Sequence, residues 1–171
     1  KRPSIEALKK LIDQRRVGTI ATVEVRIPWW REQHYYDQDG RGTWARDGGG
    51  VLITQAIHTL DIMLLLCGPV KEVQGLIHTS ALHKLEAEDF SGALLTFESG
   101  ARGTLMASTT HFPGSKEEII LNCSEATVNI SGADLKIFYH DGKLEQLESG
   151  SQTGSGSDPM DFSHAWHASV L

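Results

Sequence analysis

A chain of 171 residues and 18.8 kDa can bury roughly 70% of its unfolded surface around one core and leaves no room for a second full domain. With 16 basic and 22 acidic residues the net charge is −6, and no dense Lys/Arg block occurs, which argues against nucleic acid as a partner. Cys67 and Cys123 lie in no CxxC pair, which speaks against a disulfide scaffold or a zinc site and fits a reducing cytoplasm.

Ser4 stands as a cap before Ile5, Leu8, Leu11 and Ile12, an apolar face that predicts a helix over about residues 5–16, closed by Gly18. Val23, Val25 and Ile27 alternate with Thr22, Glu24 and Arg26, predicting a half-buried strand over Thr22–Ile27. Between residues 28 and 50 the aromatics Trp29, Trp30, Tyr35, Tyr36 and Trp44 follow no period. Such a stretch is either a loop folded over the core or a pocket wall. Val51–Cys67 holds a single formally charged residue, Asp61, and stops at Gly68-Pro69, predicting a buried helix.

Seven strands are then expected near residues 72–79, 90–97, 101–110, 117–123, 126–130, 135–140 and 143–147. Asp141-Gly142 predicts a type I′ hairpin turn between the last two, and Glu98-Ser99-Gly100 a weaker one. The Ser/Gly-rich run 149–157 reads as a surface loop. Asp158-Pro159 opens a terminal helix carrying Phe162, Trp166 and Val170. The longest apolar run, Ile62–Cys67, is far short of the ~20 residues a membrane span needs, and no signal segment opens the chain. A soluble cytoplasmic protein is expected. The chain starts at Lys1 rather than Met and ends inside a predicted helix, so both ends are expected to be cut.

The helix over Val51–Cys67 concentrates its polar residues. Thr54, His58 and Asp61 fall at i, i+4 and i+7, flanked by Gln55 and Thr59. A solvated stripe would carry Lys or Glu, so this one reads either as a core histidine satisfied by Asp61 or backbone, or as a pocket face where His58 exchanges a proton with a substrate hydroxyl. Arg41, Trp44, Arg46 and Asp47 precede Gly48-Gly49-Gly50, which opens that helix. Free amides at its start would suit an anion or hydroxyl, Arg41 and Arg46 a phosphate or carboxylate, and Trp44 a sugar ring. A glycine hinge with surface arginines is the structural alternative. Gly40 to Ala45 matches GxGxxA, but no strand precedes it. The histidines show no metal-ligand spacing, so no metal is expected. The run Glu86–Asp89 reads as a solvated loop.

The segment from Gly48-Gly49-Gly50 through Leu52, Thr54, His58 and Asp61 to Leu66-Cys67-Gly68 resembles the signature helix of the glucose–fructose oxidoreductase/inositol dehydrogenase/MocA (Gfo/Idh/MocA) family. Val17-Gly18-Thr19-Ile20, Glu88-Asp89-Phe90 and Phe97 to Ala101 resemble its first strand and its hairpin. The resemblance implies that residues 1–171 are the C-terminal substrate-binding and oligomerisation domain. Its fold would be α+β, an open, predominantly antiparallel β-sheet with helices packed on one face. An N-terminal Rossmann domain binding NAD or NADP would be absent from this chain, and the C-terminus truncated.

The implied activity is hydride transfer to or from a carbon of a sugar, cyclitol or nucleotide sugar, with His58 as acid/base residue. Assembly as a homodimer or homotetramer through the sheet face is implied, with no nucleic acid or membrane partner. Where the family usually has Asp and Gly, this chain has Thr54 and Ala56. A hydroxyl positions a sugar oxygen but is no carboxylate base, which favours a His58-centred or lysine-centred mechanism. Arg41 to Trp44 with Gln55 to His58 looks most like members acting on nucleotide-linked amino sugars or their uronates. A non-catalytic sugar-binding or assembly module of the same fold is the alternative reading.

Overall fold

The computed structural model describes residues 3–147. The expected Ser/Gly loop and terminal helix lie outside the described residues. Helix α1 (Pro3–Asp13) is followed by strand β1 (Ile20–Pro28), short helices α2 (Gln33–Tyr36) and α3 (Trp44–Asp47), and a π-helical turn over Leu52–Ala56 that runs into α4 (Ile57–Cys67). The strands β2 (Val70–His78), β3 (Phe90–Phe97), β4 (Arg102–Ser108), β5 (Glu118–Cys123), β6 (Ala126–Ser131), β7 (Asp134–Tyr139) and β8 (Leu144–Leu147) complete it.

The strands form one 8-stranded sheet in the order β2-β3-β4-β1-β5-β6-β7-β8. Only β1 and β4 run parallel; every other pairing is antiparallel. This is the expected open, predominantly antiparallel α+β architecture. The alternation seen in the sequence sets the faces. Val23, Val25 and Ile27 stand beside Gly103, Leu105 and Ala107 of β4, and Val23 and Val25 beside Leu121 and Ile119 of β5. All of these are buried and pack with Leu8 of α1 and Met63 and Leu66 of α4 in one core. At the far edge β2 is exposed along nearly its whole length, with Val73, Leu76 and Ile77 all more than half exposed.

Three local expectations are corrected. Helix α1 begins at Pro3 and stops at Asp13, where Arg15 turns left-handed (φ 56°) before Gly18 does so as well. The β7–β8 hairpin forms, but its turn is not type I′. Gly142 alone has positive φ, its amide bonding the Tyr139 carbonyl, while Tyr139 donates to Lys143 across the loop. The helix over Val51–Cys67 is buried along only one stripe: Val51, Gln55, Ala56, Thr59, Met63 and Leu66 are buried, whereas Ile53, Ile57, Leu64 and Leu65 stand 41–49% exposed. By length and composition Trp44–Cys67 would pass for a membrane span, contrary to the expectation from its unbroken runs. In the fold its apolar stripe packs on the sheet.

The topology gathers the functional loops. Pro28, Ser108, Phe90 and His78 lie side by side across β1, β4, β3 and β2. The loops at residues 29–50, 79–89 and 109–117 therefore leave or enter the sheet at one end, where the π turn also starts.

Candidate functional site

The start of the π turn is fixed by a buried acid. Glu88 accepts the amide hydrogens of Gly50 (3.0 Å) and Leu52 (3.2 Å) on its two carboxylate oxygens, and its carbonyl accepts that of Val51 at 2.8 Å. A Cβ on Gly50 would sit 1.9 Å from the Glu88 carbonyl oxygen, so only glycine permits this approach. Two expectations fall here. The helix-start amides are not free for a substrate anion, because Glu88 already occupies them. The run Glu86–Asp89 is not simply solvated: Glu88 and Asp89 are buried, at 5% and 0% exposure.

The π turn then divides the polar residues. Thr54 faces outward and donates its hydroxyl hydrogen to the Gly50 carbonyl at 2.7 Å. That leaves its oxygen lone pairs open to a donor. His58 and Asp61 are exposed, and the His58 ring makes no hydrogen bond among the described residues. It is therefore not the core histidine that one reading of the stripe predicts. Gln55, by contrast, is buried at 7% exposure.

Gln55 joins a wall of arginines and aromatic rings in which the expected Arg41 and Tyr35 meet Arg31, a residue not expected at the site. Its carbonyl oxygen accepts from the Arg31 guanidinium (3.1 Å), and its amide donates to the Tyr35 hydroxyl (3.0 Å). Arg31, only 2% exposed, also donates to the Trp30 carbonyl and lies over the Trp29 and Tyr35 rings, 5.3 and 5.4 Å from their centroids. Arg41 stacks on Tyr35 at 4.2 Å, and its Nε is buried without a hydrogen-bond partner among the described residues. A guanidinium held against a ring is preorganised for carboxylate or phosphate.

Two expected residues stay outside this wall. Arg46 turns back to the Asp39 carbonyl and the Asp47 carboxylate. Trp44 is about half exposed on α3, its ring close to Gly49. Among the described residues no group of three His, Cys, Asp or Glu side chains could hold a metal ion.

A family model described as the GFO/IDH/MocA C-terminal domain matches residues 5–129. The chain belongs to the Gfo/Idh/MocA family. Among solved structures it is similar to the WlbA dehydrogenase from Bordetella pertussis in complex with NADH and UDP-GlcNAcA, at 34% identity and a TM-score of 0.72, over 78% of this chain and 41% of that one. It is also similar to the WlbA dehydrogenase from Chromobacterium violaceum with the same ligands, at 28% identity and a TM-score of 0.75, over 99% of this chain and 48% of that one. Levoglucosan dehydrogenase in complex with NADH and levoglucosan shares the fold, at 16% identity and a TM-score of 0.72, over 84% of this chain and 43% of that one. The chain thus spans less than half the length of these Gfo/Idh/MocA-type structures. No curated protein matches it. The two WlbA complexes contain NADH and UDP-GlcNAcA, and the levoglucosan dehydrogenase complex contains NADH and levoglucosan.

Proposed function

We propose that this chain is the substrate-binding part of a NAD(P)-dependent dehydrogenase acting on a carbon of a nucleotide-linked sugar, with an amino-sugar uronate of the UDP-GlcNAcA kind as the leading candidate. The observation that carries the reading is the placement of His58. Its ring is exposed, with no hydrogen bond among the described residues, one turn beyond Gln55, the residue that ties the same helix to the Arg31–Tyr35–Arg41 wall.

In this reading His58 takes the proton of the reacting hydroxyl during oxidation and returns it during reduction. Thr54 accepts a hydrogen bond from a sugar hydroxyl. The wall, with Arg41 as its more accessible cation, grips the acid or phosphate group. Trp44 and Arg46, on α3, are assigned to substrate contacts outside this wall.

Among the described residues no strand, glycine-rich turn and helix follow one another as a dinucleotide fold requires. Nicotinamide dinucleotide is accordingly assigned mainly to a separate Rossmann domain, and when bound it supplies the hydride acceptor or donor. The exposed Ile53, Ile57, Leu64 and Leu65 are the apolar surface that such a domain would cover. The open sheet face is assigned to assembly of a homodimer or homotetramer, and the enzyme to the cytoplasm.

The test is His58→Ala in the two-domain enzyme. Turnover falls by about 10²–10⁴, while unfolding stability stays within about 0.5 kcal/mol because the side chain is exposed. Unchanged turnover would leave the non-catalytic sugar-binding or assembly module as the better reading.

A further inference from the structure

His83, in the loop between β2 and β3, is buried at 6% exposure beside Asp89, which is fully buried. One ring nitrogen, Nδ1, lies 2.8 Å from the Asp89 carboxylate, and the other, Nε2, lies 2.8 Å from the Arg31 carbonyl oxygen. A carbonyl only accepts, so Nε2 carries a hydrogen and donates it. The Asp89 carboxylate also accepts from the Ser80 amide (2.8 Å) and hydroxyl (2.7 Å), so its orientation is fixed. The imidazole is further held between the Trp30 ring at 6.0 Å and the Tyr36 ring at 4.9 Å.

Arg31 is thereby held at both ends of its backbone. Its amide donates to the Thr109 carbonyl at 3.0 Å, and its carbonyl accepts from His83. From this clamped backbone the guanidinium runs across Trp29 and Tyr35 to Gln55. The Asp89 carboxylate accepts at Nδ1 and the Arg31 carbonyl at Nε2, so both ring nitrogens donate and the orientation of the ring is fixed.

We infer that His83 and Asp89 are a positioning pair for the sugar site, fixing Arg31 and through it Gln55 on the helix that carries His58. The pair touches neither substrate nor cofactor. This inference rests on the reading of the Arg31–Gln55–Tyr35 wall as the site of the acidic sugar.

The experiment compares His83→Ala, Asp89→Ala, Asp89→Asn and the double variant His83→Ala/Asp89→Ala with the parent two-domain enzyme and with His58→Ala. His83→Ala and Asp89→Ala raise KM for the nucleotide-sugar acid by about tenfold to a hundredfold, with kcat and the KM for the nicotinamide cofactor within about threefold. The double variant is no worse than His83→Ala alone, because the pair acts as one unit. Asp89→Asn restores KM to within about threefold of the parent. Its amide can donate to Nδ1 of a neutral imidazole whose Nε2–H still reaches Arg31.

Unchanged KM in a folded His83→Ala enzyme overturns the inference, as does an Asp89→Asn variant damaged like Asp89→Ala. Should the alanine variants not fold, nitrogen-15 spectra of the parent decide. A slowly exchanging proton on Nε2 of His83 supports the pair, and a bare Nε2 overturns it. An active parent with unaffected His58→Ala turnover would instead sink the functional reading and is distinguishable from either result.

Discussion

Glu88 holds Gly50 from two sides: its carboxylate accepts the Gly50 amide hydrogen at 3.0 Å while its backbone lies where a Gly50 Cβ would stand, 1.9 Å from its carbonyl oxygen. A side chain at this point forces the helix start and the β3 approach apart. Gly50→Ala is expected to cost about 1–3 kcal/mol or more through overpacking. Glu88→Ala, which leaves the amides of Gly50 and Leu52 without their acceptors, is expected to cost about 1–3 kcal/mol. Urea unfolding of the chain measures both. A Gly50→Ala protein as stable as the parent would show that the two segments are not locked together.

Gln55 makes a second prediction because its amide bridges two unlike partners. Gln55→Leu has nearly the same bulk but leaves the Arg31 guanidinium and the Tyr35 hydroxyl without their shared partner. A loss of about 1–3 kcal/mol is expected, together with weakened binding of acidic sugars. Gln55→Glu can accept from both Arg31 and Tyr35 and is expected to stay folded. Its added negative charge beside the wall should still weaken binding of the acid, so calorimetric titration separates the two effects.

The sheet was readable because alternation is a local signal. Val23, Val25 and Ile27, or Leu135 and Ile137, declare their buried face through their immediate neighbours. The clamp around the site was not readable, because its partners are remote in sequence: Glu88 meets Gly50 across 38 residues, and His83 meets Arg31 across 52. In a run containing Glu86, Glu88 and Asp89, nothing local distinguishes an exposed acid from one that caps a helix. Arg31 beside Trp29 and Trp30 was the available clue, since a cation among large rings at a strand end has stacking partners at hand. His58 and Gln55 were found because they share a helix, but only the fold shows that Gln55 is buried against Arg31 and Tyr35 while His58 stays exposed.

A third prediction concerns alkaline pH. Burial pushes the Cys67 thiol up to about 12, with Cys123 nearby adding to it, and Cys123 up to about 11, both from an ordinary 9.0. Burial likewise pushes the Tyr36 phenol from 10.0 to about 12. Above pH 9.0 the unfolded chain releases thiol protons that the folded chain retains. The stability gained from burying neutral groups is therefore full below pH 9.0 and is lost progressively towards about 12. Denaturant midpoints should fall over that range, and less steeply in a Cys67→Ala/Cys123→Ala variant. Parallel curves for the two proteins would contradict the assignment. In the folded protein both thiols should also resist alkylation at neutral pH.

The last prediction addresses the open face of the sheet, where alternation places residues that the helices do not cover. Leu94 pairs with Gln74, and the next same-face position pairs Gly92 with Leu76, so Leu76 and Leu94 are diagonal neighbours on that face. Each is 60% exposed, and Met106 stands beside Gly92 on the next strand. An apolar group on a sheet face, with Gln74, Thr96 and Thr104 at the neighbouring positions, is a natural contact between copies. Leu94→Lys puts a charge at its centre and, in the assembled enzyme, would leave that charge buried without a partner, at a cost of several kcal/mol. Light scattering after gel filtration is expected to show a smaller assembly for Leu94→Lys at equal protein concentration, with unfolding stability of the separated protomer unchanged. An identical mass for parent and variant would move the contact off this face.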